Sequence, residues 1–169
     1  MTDVAADPHA AVVEALRAHG ADFEVMDCDP DFADTAAFCE VYGIAPEESA
    51  NTILVVGKSD PRRYVACVVL ATTRLDVNGI VRQRLAVKKA SFASAEETRE
   101  LTGMLIGGVT PVALPDDMPI WVDAAVMQPG SIVLGGGDRS TKLRLSPATL
   151  ATLPRVEVVE NLAKPVERS

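Results

Sequence analysis

Aromatic side chains are scarce: one Trp, two Tyr and four Phe make up 4% of the 169 residues. The core must therefore be built from Val, Leu, Ile and Ala, whose β-branched members favour strands. Histidine is scarcer still, with only His9 and His19, at either end of one expected helix. Cys28, Cys39 and Cys67 are odd in number and fall in no CxxC or CxxH spacing, so neither a disulfide framework nor a zinc site is expected. No apolar run approaches the ~18 residues of a membrane span. The acidic start MTDVAADP lacks the basic and apolar regions of a secretory signal. These absences predict a cytoplasmic protein with no membrane contact and no metal. Missing too are a GxSxG elbow, a P-loop and a GxGxxG turn after a strand, and no nucleophile can be paired with a base. Most standard enzyme classes are thereby excluded.

What is present suits a globular chain. Hydrophobic residues make up 48% of it, and its length is that of one ordinary domain, expected over 1–169 with a core from about 8 to 160. The net charge of −8 argues against bulk affinity for nucleic acid, yet its sign is unevenly spread. Residues 1–50 hold 12 acids against the single base Arg17, whereas residues 58–89 hold eight bases against Asp60 and Asp76. The middle of the chain is able to attract phosphate; the plainer reading is a solvated basic face.

Local signals order the elements. Pro8 opens a helix with Val12, Val13 and Leu16 on one side, and Gly20 stops it. A strand is expected over Phe23–Cys28, then a helix over Thr35–Tyr42 ended by Gly43. Ile53–Val56 and Tyr64–Leu70, joined by GKSDPRR, should pair as a central antiparallel ribbon. Asp76 can cap a helix reaching about Leu85, and Ser94 with Glu97 has capping-box spacing for another that Gly103 ends. Strands are expected at Ile120–Asp123, Ser131–Leu134 and Leu143–Leu145, with Gly135-Gly136-Gly137 turning between the last two. Pro147 opens a short helix and Val156–Val159 forms an edge strand. The fold class is mixed α/β, a largely antiparallel sheet with surrounding helices.

Chemistry is suggested at one place. In Gly103-Met104-Leu105-Ile106-Gly107-Gly108-Val109-Thr110-Pro111 a helix stop, a glycine pair and a proline fix an unusual backbone path. Such a loop can aim several main-chain amides at one oxygen. A Gly-Gly pair is also an ordinary turn. Cys28 is either a pocket thiol or a small buried apolar residue, and Asp76 is better explained as a cap than as an acid.

The order of motifs resembles the YbaK/ProRS-associated editing-domain family, also found as the insertion domain of bacterial prolyl-tRNA synthetases. The likeness runs through Tyr42-Gly43-Ile44, SANTILVV, ACVVLATTRLDVNGI, VKKASFASAEETRELTG, IGGVTPVAL, GSIVLGGG and LRLSPATL, over roughly 150 residues. It implies hydrolysis in trans of the ester joining a wrong amino acid, often cysteine or alanine on tRNA(Pro), to the 3′-terminal ribose. It implies no metal and no cofactor. The implied partners are a mischarged tRNA 3′ end and an aminoacyl-tRNA synthetase. By motif match, Gly107, Gly108, Thr110 and Pro111 carry over as the loop that holds the ester. Elsewhere the chain departs from the family pattern. The lysine usual before the threonine of the first ribbon strand is Asn51, followed by Thr52. Cys28 stands for a tyrosine, Gly135 for a serine and Lys142 for an aspartate. Asn51, Gly107 and Gly108 are then the expected catalytic donors, with Cys28, Thr52, Thr110, Pro111, Gly135 and Lys142 around the substrate. Two other readings stand beside the deacylase: a non-catalytic module binding a tRNA end or a nucleotide, and an interaction protein docking its acidic N-terminal half on a synthetase.

Overall fold

A computed structural model describes residues 7–166, and residues 1–6 and 167–169 of the expected 1–169 unit lie outside the described residues. In chain order its regular elements are α1 (Pro8–His19), β1 (Glu24–Asp27), α2 (Thr35–Tyr42), β2 (Ala50–Gly57), β3 (Arg63–Leu70) and β4 (Thr73–Leu75). They continue as α3 (Arg82–Leu85), β5 (Ala90–Phe92), α4 (Ala95–Thr102), β6 (Ile120–Asp123), β7 (Ile132–Gly135), β8 (Thr141–Leu145), α5 (Pro147–Thr152), β9 (Val156–Val159) and β10 (Ala163–Pro165).

Helix ends follow their capping chemistry. Asp7 accepts from the His9 amide at the start of α1, and Gly20 closes that helix with φ of 76°. Ser94 and Glu97 form a complete capping box on α4. The Asp76 segment departs from expectation. Asp76 does cap it through the Gly79 amide, but Val77–Val81 is a π-turn and only Arg82–Leu85 is α-helical. The glycine run also differs: β7 extends through Gly135, so the turn begins at Gly136.

Ten strands form three sheets. The largest has the order β5-β2-β3-β6-β9, with β2 antiparallel to β3 and β5, and β6 parallel to β3 and β9. The expected ribbon is therefore central, and Val156–Val159 does form an edge strand. A second sheet, β1-β8-β7, is antiparallel, and β4 pairs with β10. The short β4, β5 and β10 carry no alternation long enough to read in sequence. A parallel bridge from Ser49 to Val133 joins the two larger sheets where β2 begins.

Strand β3 is buried on both faces, which is why its sequence is a continuous apolar run. Ala66, Val68 and Leu70 meet Leu16, Ile120, Leu134 and Leu143 on one side. Val65, Cys67 and Val69 meet Val81, Leu85, Trp121 and Leu162 on the other. A small third cluster of Cys28, Ala33, Phe38 and Val133 sits beneath α2.

Candidate functional site

A cavity of about 330 Å³ opens where the start of β2 meets β7, β8 and the glycine loop after α4. Its wall includes Asp34, Thr35, Asn51, Thr52, Ile106, Gly107, Val109, Gly135 and Lys142. Strand β2 carries Asn51 and Thr52, the first turn of α2 carries Thr35, and the β7–β8 pair sets Gly135 opposite Lys142.

The donors are mostly neutral. The Thr35 hydroxyl donates to Oδ1 of Asn51, which leaves the Asn51 amide N–H groups to face a ligand. The Thr52 hydroxyl is buried and has no hydrogen-bond partner among the described residues. An unmade buried bond costs about 1–3 kcal/mol. Gly107 adopts φ of 94°, and no main-chain acceptor is found for its amide within the described chain. The positive φ favours glycine there, and a Cβ on Gly107 would come within 2.4 Å of Arg139 Nη1, so the guanidinium would have to shift.

Two cations from the second sheet fix this wall. Lys142 is buried, and its ammonium donates to the carbonyls of Ala33 at 2.6 Å and Gly107 at 2.7 Å. Its Nζ also lies 5.2 Å from the Phe38 ring centroid. Burial pushes its pKa below the usual lysine value and the Arg139 charge adds to this, while Cys28 opposes it. Arg139 donates to Ile106 O at 2.6 Å and Pro30 O at 2.8 Å, and pairs with Asp34 at 3.1 Å. Together they tie residues 30–34 to the glycine loop. The loop also lies tight against β7: a Cβ on Gly135 would stand 2.4 Å from the Val109 carbonyl.

Of the residues expected from sequence, Asn51, Thr52, Gly107, Gly135 and Lys142 meet on this cavity. The other four stand away from its lining. The Gly108 amide donates to Leu105 O at 2.8 Å and its carbonyl accepts from Gly137, so its main chain is engaged within the fold. Thr110 and Pro111 are buried beyond Val109. Cys28 is buried in the small cluster beneath α2 and donates to Asp29 O at 3.3 Å; burial pushes its thiol pKa up, with Lys142 opposing. Sequence reasoning missed Asp34, Thr35 and Arg139. The first two carry only a helix-start signal, and Arg139 sits in a turn with no motif at all.

Among the described residues no group of three or more His, Cys, Asp or Glu is placed to hold a metal ion, and no helix is long and apolar enough to cross a membrane. The site offers neutral donors on one wall, a buried ammonium holding the loop behind them, and one carboxylate already paired with Arg139.

Known proteins share this framework. A protein of Enterococcus faecalis described as a Cys-tRNA(Pro)/Cys-tRNA(Cys) deacylase, EbsC, is 22% identical over 135 residues, covering 79% of this chain and 80% of its own length. The crystal structure of hypothetical protein APE2540 superposes with a TM-score of 0.80 at 27% identity, over 91% of this chain and 99% of that one. A crystal structure described as a trans-editing enzyme for prolyl tRNA synthetase gives 0.77 at 22% identity, over 98% of this chain and 99% of that one. The sequence model of the aminoacyl-tRNA editing domain matches residues 29–153, a stretch that runs from the β1–α2 connection through α5 and takes in every cavity residue named above: the chain belongs to the aminoacyl-tRNA editing domain family.

Proposed function

We propose that this protein is an aminoacyl-tRNA deacylase, which hydrolyses in trans the ester between a misplaced amino acid and the 3′-terminal ribose of a tRNA. The observation that carries the reading is the convergence, in a member of this family, of the Asn51 side chain and the Gly107 main-chain amide on one cavity. Neutral donors of this kind stabilise the negative charge that develops on an ester oxygen under attack.

The ester carbonyl sits between Asn51 and Gly107. Water adds to its carbon, the bond to the ribose oxygen breaks, one proton of the water leaves with that oxygen as the free hydroxyl, and the other passes to solvent as the amino acid departs as its carboxylate. Arg139 and Lys142 act through the backbone: Arg139 holds the Ile106 carbonyl and so fixes the peptide that carries the Gly107 N–H, and Lys142 holds the Gly107 carbonyl and so fixes the next peptide of the loop. Gly108, Thr110, Pro111 and Cys28 support the wall from behind, and Gly135 lets the loop approach. The cationic place that the family gives to a lysine is taken by Asn51, a donor roughly half as strong as a charged one.

Cysteine on tRNA(Pro) is the first substrate to try, since EbsC is described as acting on Cys-tRNA(Pro). A synthetase supplies such mischarged tRNA, and co-purification tests whether one associates with this chain. The decisive measurement is release of amino acid from a panel of mischarged tRNAs, with Asn51→Ala alongside. Turnover well above spontaneous hydrolysis, falling about 10²-fold in the variant, is expected. A panel left intact at the spontaneous rate would overturn the reading.

A further inference from the structure

The fold gathers bases that the sequence scatters. Gly57 pairs with Ala90, and the Lys58 amide donates to Lys89 O at 2.8 Å, which sets the β2–β3 turn against the approach to β5. Arg63 Nη1 donates to Leu85 O at 2.9 Å, bringing α3 to the same end of the sheet. Lys58, Arg62, Arg63, Arg82, Arg84, Lys88 and Lys89 thus lie toward one end, where Arg62 pairs with Glu97 and Arg84 with Glu157.

A groove of about 460 Å³ runs through this end, lined by Arg62, Arg63, Tyr64 and Arg84. Arg84 lies over the Trp121 ring, 4.8 Å from its centroid, which presents a guanidinium on a rigid apolar support. Helix α4 lies between the groove and the cavity. Thr98 of α4 lines the cavity while its neighbour Glu97 holds Arg62 at 3.1 Å. Along β2 from Asn51 to Gly57 the separation is roughly 20 Å, a span that a few unpaired nucleotides bridge.

We propose that this basic end is an RNA-docking surface, which holds the phosphate backbone of the tRNA acceptor arm while the single-stranded 3′ tail runs past the exposed Phe92 of β5 to the cavity. The inference rests on the deacylase reading for its ligand. The overall charge of −8 leaves this end as a local cationic site on an acidic molecule, so it orients the RNA as well as binding it.

The test measures binding of uncharged tRNA by the full chain as a function of salt, so it is independent of turnover. Arg62→Gln/Lys89→Gln removes two charges from the surface; Arg17→Gln/Lys164→Gln removes two elsewhere. The first pair should weaken binding about tenfold at low salt and flatten the slope of log K against log salt by about 1.5, the loss of two phosphate contacts. The second should do neither. A misfolded variant would lose binding at every salt concentration without that change of slope. Equal behaviour of the two pairs overturns the proposal, as does loss of synthetase co-purification with tRNA affinity intact, which would make the surface a protein interface. If wild type binds through this surface yet cleaves no mischarged tRNA, the deacylase reading fails and the surface stands; the reverse result separates them the other way.

Discussion

The β2–β3 ribbon has an apolar interior along its length and a polar wall beside the start of β2, and the two differ in character. On one side Val55, Val65, Cys67, Leu85, Trp121 and Leu162 form an apolar layer in which burial alone pushes the Cys67 thiol pKa up. Near the open end of the ribbon, Lys142 is buried almost as deeply, yet it is surrounded by carbonyls and by Cys28, whose thiol Lys142 pulls back down. The apolar layer is secured by area and volume, which many side chains supply. The polar wall is secured by directed bonds, so exchanging one atom disturbs it.

That contrast breaks first at Lys142. Lys142→Met keeps the length of the side chain but strands the Ala33 and Gly107 carbonyls, and should cost about 3 kcal/mol along with most of the deacylase activity. Val65→Ala in the apolar layer should cost about 2 kcal/mol and leave kcat of the folded fraction unchanged. Urea unfolding and initial rates on both variants check the pair; equal activity would erase the distinction between the two regions. Next comes Gly135→Ala, whose Cβ has only 2.4 Å to the Val109 carbonyl. Displacing the loop should cost about 2 kcal/mol and raise KM, whereas an unchanged KM would mean the loop has slack.

Smaller effects sharpen the comparison. The Arg139–Asp34 pair is partly solvated, with side-chain exposures of 29% and 69%, so Arg139→Gln should change stability by less than about 1 kcal/mol. It should still raise KM, because Arg139 also holds Ile106 O. The pH dependence of Lys142 is the subtlest. Its folded pKa lies below the usual lysine value of 10.5, so between the two the unfolded chain binds more protons and stability rises with pH. The contribution is lost again as pH falls through the folded pKa. The stability difference between wild type and Lys142→Met should therefore move in favour of wild type as pH rises toward 10.5, and a flat difference would mean that the ammonium titrates as it does in the unfolded chain.

Much of this was legible beforehand where the chemistry is local. Gly20, Gly43 and Gly103 close helices at left-handed φ, and Ser94 with Glu97 forms the box that their spacing announces. The apolar runs of β2 and β3 read correctly as a central ribbon. The glycine–proline loop marked Gly107 from sequence, whereas Asn51, Thr52, Gly135 and Lys142 entered the site only through likeness to a family, because no spacing rule joins positions so far apart.

The rest is tertiary. That Gly108 has its amide engaged by Leu105 while Gly107 does not, or that Lys142 reaches two carbonyls from different segments, depends on how two sheets meet at the Ser49–Val133 bridge. The same holds for the bases spread over residues 58–89, which become one surface only when β5 and α3 pack beside the β2–β3 turn. Sequence by itself determined caps, turns and the apolar ribbon, since each follows from neighbours within a few residues. Which amides stay unpaired and which charges share a surface was decided by long-range packing, because a hydrogen bond or an ion pair depends on distance in space.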